Sequence, residues 1–108
     1  MAKRIEWTPT AQSNVEQITF FYKPLSQSYT TKLIRLIKAS IDLLETNPQL
    51  GFVEPLLESC PACFRSLVIG YYKIVYWIDK ETIYIAHIFD CRQSPDKLKE
   101  RPNKVQIK

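Results

Sequence analysis

Glycine is almost missing from this chain, with only two among 108 residues. A phosphate-cradling loop needs several glycines so that backbone N–H groups can close on the anion, and that class of nucleotide site is excluded. Histidine occurs once, which leaves no Ser/His/Asp arrangement to argue. The three cysteines, Cys60, Cys63 and Cys91, are an odd number, unlike the paired framework of a small secreted domain. No apolar run approaches the roughly 18 residues of a membrane span. The N-terminus, Met1 to Trp7, carries no apolar signal core. A cytoplasmic protein with no membrane partner is expected.

What remains is globular. At 108 residues, 45% of them hydrophobic and 24% charged, residues 1–108 are expected to form a single domain. A chain of this size buries enough surface to build a core without metal or disulfide staples, and no cofactor is implied. The formal net charge of +4 and pI near 9.0 favour anionic partners such as nucleic acid, ribosomes or acidic protein segments. Ordinary solubility charge explains the same numbers.

Periodicity predicts an α+β fold. Lys3 to Trp7 alternates like a short half-buried strand. Thr8-Pro9 then supplies an N-cap and a proline at the first helical position. Ala11, Val15, Ile18 and Tyr22 make one apolar stripe, which Pro24 ends. Ser26 caps a second helix whose stripe is Tyr29, Leu33, Leu36, Ile37, Ile41 and Leu44. So short a connection implies an antiparallel helical hairpin packed on the sheet. On the far face of the second helix lie Lys32, Arg35 and Lys38, read either as a solvated face or as an anion contact. Residues 48–62 read as an irregular connector.

From Cys63 the period changes to two. Cys63–Ile69, Tyr71–Ile78 and Thr82–Phe89 are expected to form a three-stranded antiparallel meander, and Ser94 to cap a short C-terminal helix. Tyr72, Ile74, Tyr76 and Ile78 fall on one face of the middle strand, Val75 and Trp77 on the other. A helical hairpin covers only one face. The other is expected to be covered by the C-terminal segment or to stay open as a partner surface.

Few residues suggest catalysis. Cys60-Pro61-Ala62-Cys63 has the spacing of a redox dithiol or half a zinc site, but it lies between a connector and a strand, and packing cysteines are the default. His87, expected to share a side with Ile85 and Phe89, reads as a core residue. Glu54, Glu58 and Asp90 show no spacing that pairs carboxylates. The candidate site is therefore cationic: Arg65, Lys73 and Arg92 on or beside adjacent strands, with Lys97 beyond them. These are expected to form one patch for RNA phosphate, for a phosphoryl-transfer transition state or for an acidic protein.

Phe64-Arg65-Ser66-Leu67, Gly70 to Ile78 and Ile83 to Pro95 carry a likeness beyond these patterns. With the order strand, two helices, three strands and short helix, the chain resembles the RelE/ParE superfamily of toxin–antitoxin toxins, the plasmid-stabilisation proteins. The resemblance implies one of two actions. A RelE-like toxin is an endoribonuclease that cuts mRNA on the ribosome, with Arg65, Lys73 and Arg92 as its phosphate and transition-state contacts. A ParE-like toxin inhibits DNA gyrase by protein–protein contact. Either is neutralised by a cognate antitoxin, and Arg65, Lys73, Trp77, Arg92 and Lys97 are then the residues facing target or antitoxin. Lys73 stands where the RelE pattern has arginine, Asp90 where it has histidine, and the final segment offers no tyrosine. These departures favour the gyrase reading.

Overall fold

A computed structural model describes residues 2–58 and 63–92. The short helix expected from Ser94, the cation Lys97 and Cys60 lie outside them. The order is strand β1 (Arg4–Trp7), helix α1 (Pro9–Tyr22), helix α2 (Gln27–Leu43), strand β2 (Phe52–Val53), a 3₁₀ turn (Pro55–Leu57), then β3 (Phe64–Ile69), β4 (Tyr72–Asp79) and β5 (Thr82–Asp90). The five strands form one sheet in the order β1-β5-β4-β3-β2, with β1 parallel to β5 and every other pair antiparallel.

Local chemistry sets the helix ends. Thr8 Oγ1 accepts from the Ala11 N–H (3.2 Å) and donates to the Ile85 carbonyl (2.8 Å), so one hydroxyl both starts α1 and ties it to β5. A cap of this kind contributes about 1 kcal/mol. Ser26 starts α2 the same way, accepting from Tyr29 N. β1 pairs with β5 only as far as Ile85. Beyond it, Asn14 of α1 stands in for a strand, its Oδ1 accepting from Ile88 N (3.0 Å).

Two core clusters lie on the two faces of the sheet. Ala11, Ile18, Leu33, Ile37, Ile41 and Leu44 of the helical layer pack on Tyr72, Ile74, Tyr76, Ile83, Ile85 and Ile88. Each buried leucine or isoleucine contributes about 1.5–3 kcal/mol relative to exposure. Across the sheet, Phe64, Val75, Trp77, Ala86 and Phe89 form the second cluster with Leu57 of the 3₁₀ turn.

Of the alternatives for the second face, the open one does not hold at Trp77, which is 5% exposed, stacked on Tyr84 at 4.7 Å and met edge-on by Phe64. Two other expectations are corrected. The connector is not irregular throughout. It supplies an edge strand on β3 and the turn that places Leu57 over the second face. Finally, a β-bulge shifts the register between Val75 and Tyr76, whose partners are His87 and Ile85. The extra residue turns the rest of β5 over, so Ile85 stays in the helix-side core while the His87 ring packs against Phe89 (5.4 Å) opposite Val75.

Candidate functional site

Strand register decides where each expected cation goes. Arg65 is paired with Tyr76, and Tyr76 belongs to the helix-side core. Lys73 lies between Val68 and Phe89, on the other face. Arg92 follows β5, beside Tyr72, four residues along β4 from Tyr76, or about 13 Å at strand rise. The single patch expected of Arg65, Lys73 and Arg92 therefore does not form.

Each of the three is also engaged internally. Arg65 Nη1 donates to the Gly51 carbonyl (2.6 Å) and reaches the Gln49 carbonyl at 3.5 Å, which fastens the connector to β3. Gly51 has to be glycine, because a Cβ there would sit 2.6 Å from the Ser66 carbonyl oxygen and 2.9 Å from the Tyr76 hydroxyl. That hydroxyl accepts from Gly51 N (2.9 Å) and donates to the Pro48 carbonyl (2.8 Å).

Lys73 Nζ is 2.8 Å from Glu54 Oε1, and its ammonium lies 5.9 Å from the centre of the Phe52 ring. The Glu54 side chain is fully buried, whereas Lys73 keeps 18% of its side-chain surface. Ser66 Oγ donates to the same carboxylate oxygen (2.6 Å), and Leu56 N–H donates to Oε2 (3.1 Å). Burial pushes the Glu54 carboxyl up, but Lys73, Ser66 and the Leu56 N–H together outweigh it and hold the group below the usual carboxylate range. Glu54 thus anchors the connector to the second face of the sheet. Its sequence signal was available: Glu54-Pro55 repeats the cap-then-proline pattern of Thr8-Pro9.

Arg92 lines a hollow. Its Nε and Nη2 donate to Asp90 Oδ1 and Oδ2, both at 2.9 Å, and Nη2 also donates to the Tyr22 hydroxyl (3.0 Å). The guanidinium lies over the Tyr71 ring at 4.7 Å. Hydrogen bonding by Arg92 holds the Asp90 carboxyl below its ordinary range. Arg92, then Tyr72, lowers the Tyr22 phenol, whereas burial raises that of Tyr72. Around them opens a hollow of about 430 Å³ between α1 and the end of the sheet, lined in part by Asn14, Gln17, Phe21 and Tyr22. Phe21 meets Tyr22 edge-on at 4.8 Å, and Tyr22 meets Tyr29 at 5.1 Å. Arg92 keeps 48% of its side-chain surface, and Phe21, Tyr29 and Tyr71 are exposed. Tyr22 carries no sequence signal for this place, since it meets Arg92 from 70 positions away.

Chemically, this is an aromatic and arginine surface, the composition from which protein contacts draw most of their energy. Trp77 presents almost no surface to a partner. Among the described residues no three His, Cys, Asp or Glu side chains gather as for a metal ion, and no helix is long and apolar enough to cross a membrane.

Comparisons with known proteins agree with this architecture. Among curated proteins none matches the chain. A solved structure described as the chromosomal ParDE TA system from P. aeruginosa is similar in fold, with a TM-score of 0.68 at 18% identity, covering 82% of this chain and 96% of that one. The family model for the ParE toxin of the type II toxin–antitoxin system, parDE, matches residues 5–95. A match of that extent reaches from β1 past Arg92, and the chain belongs to the ParE toxin family of type II toxin–antitoxin systems.

Proposed function

We propose that this toxin inhibits DNA gyrase by protein–protein contact, through the surface formed by Phe21, Tyr22, Tyr71 and Arg92, and that a cognate antitoxin neutralises it. A role in plasmid stabilisation follows from such a pair. The observation that carries the reading is the state of the three cations. Arg65 is spent on backbone carbonyls, Lys73 on Glu54 and Arg92 on Asp90, and they do not converge. A nuclease acting on mRNA needs uncommitted cations gathered around one phosphate to stabilise the charge of the transition state. An exposed arginine stacked on tyrosine and braced by a carboxylate instead suits a rigid protein contact, since little side-chain freedom remains to be lost on binding.

One observation favours the endoribonuclease reading. Tyr22 places a phenol with lowered pKa against Arg92, where a general base would stand. Paired assays separate the two. Purified toxin is expected to block gyrase supercoiling and to leave ribosome-bound mRNA intact in a toeprinting assay. Tyr71→Ala and Arg92→Ala, with circular dichroism unchanged, are expected to weaken inhibition about tenfold or more. Codon-positioned cuts that disappear in Tyr22→Phe would establish the nuclease instead.

A further inference from the structure

The sheet has one edge that its own chain leaves unfinished. β2 covers β3 only at Arg65 and Ser66, although β3 runs on to Ile69. In an antiparallel ladder, alternate residues turn their N–H and C=O groups to opposite neighbours. The Phe64 carbonyl accepts from the Glu54 N–H (2.9 Å), so Phe64, Ser66 and Val68 turn theirs away from β4. Val68 lies past the end of β2, and among the described residues no backbone group meets it there. Leu67-Val68-Ile69 carries no charge, no proline and no bulge to protect the edge.

On the helix side of the same edge, α2 has an unpartnered flank. Tyr29, Leu36 and Leu43 recur every seven residues and are 45%, 52% and 55% exposed. Ile34, Arg35, Lys38 and Asp42 face α1 and β1, with which they line hollows. At about 100° per residue, the Tyr29–Leu36–Leu43 stripe comes out on the opposite flank, towards β3. Lys32 stands at its margin.

We infer that this side of the molecule pairs with the same side of a second copy, β3 against β3 at Val68 and α2 against α2, about a two-fold axis. Antiparallel pairing of Val68 with Val68 of the second copy closes two N–H···O=C bonds and satisfies the outward groups that β2 leaves open. Any other added strand would find so short an edge a poor partner, because strand addition draws its affinity from a run of main-chain bonds. The axis that pairs the strands also sets the two α2 stripes against each other, and a seven-residue apolar repeat is the period of a helix–helix seam. An uncharged stripe meets its own copy without repulsion, and the stem of Lys32 is long enough to keep its ammonium in water. A lipid surface would leave the Val68 groups unsatisfied. Four half-exposed side chains and one residue of edge fall short of the roughly 800 Å² per partner of a standard interface, so a weak and reversible dimer is expected.

The inference does not depend on the gyrase reading, whose surface lies at Arg92, and its test measures mass and exchange, not toxicity. Sedimentation equilibrium of the full chain, from about 5 to 500 µM, should show the mass climbing from 12.7 kDa towards twice that value. Leu36→Glu should weaken the association at least tenfold and keep the parent melting temperature, because the side chain it replaces is half exposed. Val68→Pro removes the outward N–H without touching the bonds to β4, and should weaken it as much. Arg92→Ala should associate like the parent. In the parent itself, amide exchange at Val68 should slow several-fold between the dilute and the concentrated sample, a readout that needs no variant to fold. A chain that is still monomeric at the highest concentration overturns the inference. So does a dimer that both Leu36→Glu and Val68→Pro leave intact, or Val68 exchange that ignores concentration. A monomer that covers this flank only when another protein is added overturns it as well.

Discussion

Removing Lys73 from the buried pair with Glu54 is expected to reverse the way stability responds to acid. In the parent, the fully buried Glu54 carboxylate is held ionised by Lys73, Ser66 and the Leu56 N–H. Its folded pKa lies below its unfolded one. The group therefore contributes stability above the unfolded value, about 4.3, and loses it as pH falls through the folded value. Lys73→Met leaves the buried carboxylate with two neutral donors, Ser66 Oγ and the Leu56 N–H. Breaking a buried pair from one side costs about 3–5 kcal/mol. The upper end is expected here, because the stranded charge is the deeper partner. Glu54→Gln strands Lys73 instead, and that ammonium keeps some access to solvent, so about 3 kcal/mol is expected. The double variant should lose less than the sum of the two. Without Lys73 the burial of Glu54 prevails, and its folded pKa rises above the unfolded one. In Lys73→Met the contribution of this group then declines as pH rises from about 4 towards neutrality, the opposite slope to the parent. Urea titrations at pH 3.5, 5 and 7 on all four proteins measure this. Single-variant losses under about 1 kcal/mol, or parallel pH profiles for parent and Lys73→Met, would refute the reasoning, because that is how a solvent-screened surface pair behaves.

Gly51→Ala drives a Cβ to 2.6 Å from the Ser66 carbonyl oxygen, a backbone atom that cannot step aside. A loss of about 1–3 kcal/mol in urea unfolding is expected. Gly70→Ala meets no atom within 4 Å, but its φ of +59° opposes any Cβ, so about 1 kcal/mol should go through backbone strain alone. In an ultraviolet titration, the phenol that ionises below the ordinary tyrosine value should vanish in Tyr22→Phe and move up in Arg92→Ala. An unchanged early transition in both variants would mean that Arg92 does not act on Tyr22.

Much of the fold was legible because its signals are local. Thr8-Pro9 and Ser26 mark both helix starts, and Gly70 and Asp79-Lys80-Glu81 punctuate the meander where its two tight turns lie. The apolar alternation of β4 sorts its residues correctly between two cores. The site was far less legible. Arg65 and Lys73 sit on neighbouring strands and Arg92 just beyond the next, as their order implies, yet the register Arg65↔Tyr76 and Lys73↔Val68 sends the first two through opposite faces of the sheet. One extra residue in β5 likewise parts His87 from Ile85. Neither turns on residue type. Both turn on which backbone groups pair, and a slip of one residue inverts a face.

The sequence by itself determined the α+β class, the helical hairpin, the meander and the likeness to the toxin superfamily, because periodicity, caps and turn residues act within a few positions along the chain. Only the tertiary structure decided that Glu54 neutralises Lys73, that Tyr22 meets Arg92 and that Trp77 is core. Those facts depend on residues tens of positions apart being held a few ångströms from one another. The energy that holds them there comes from burying a whole sheet between two cores, which no local stretch of sequence expresses.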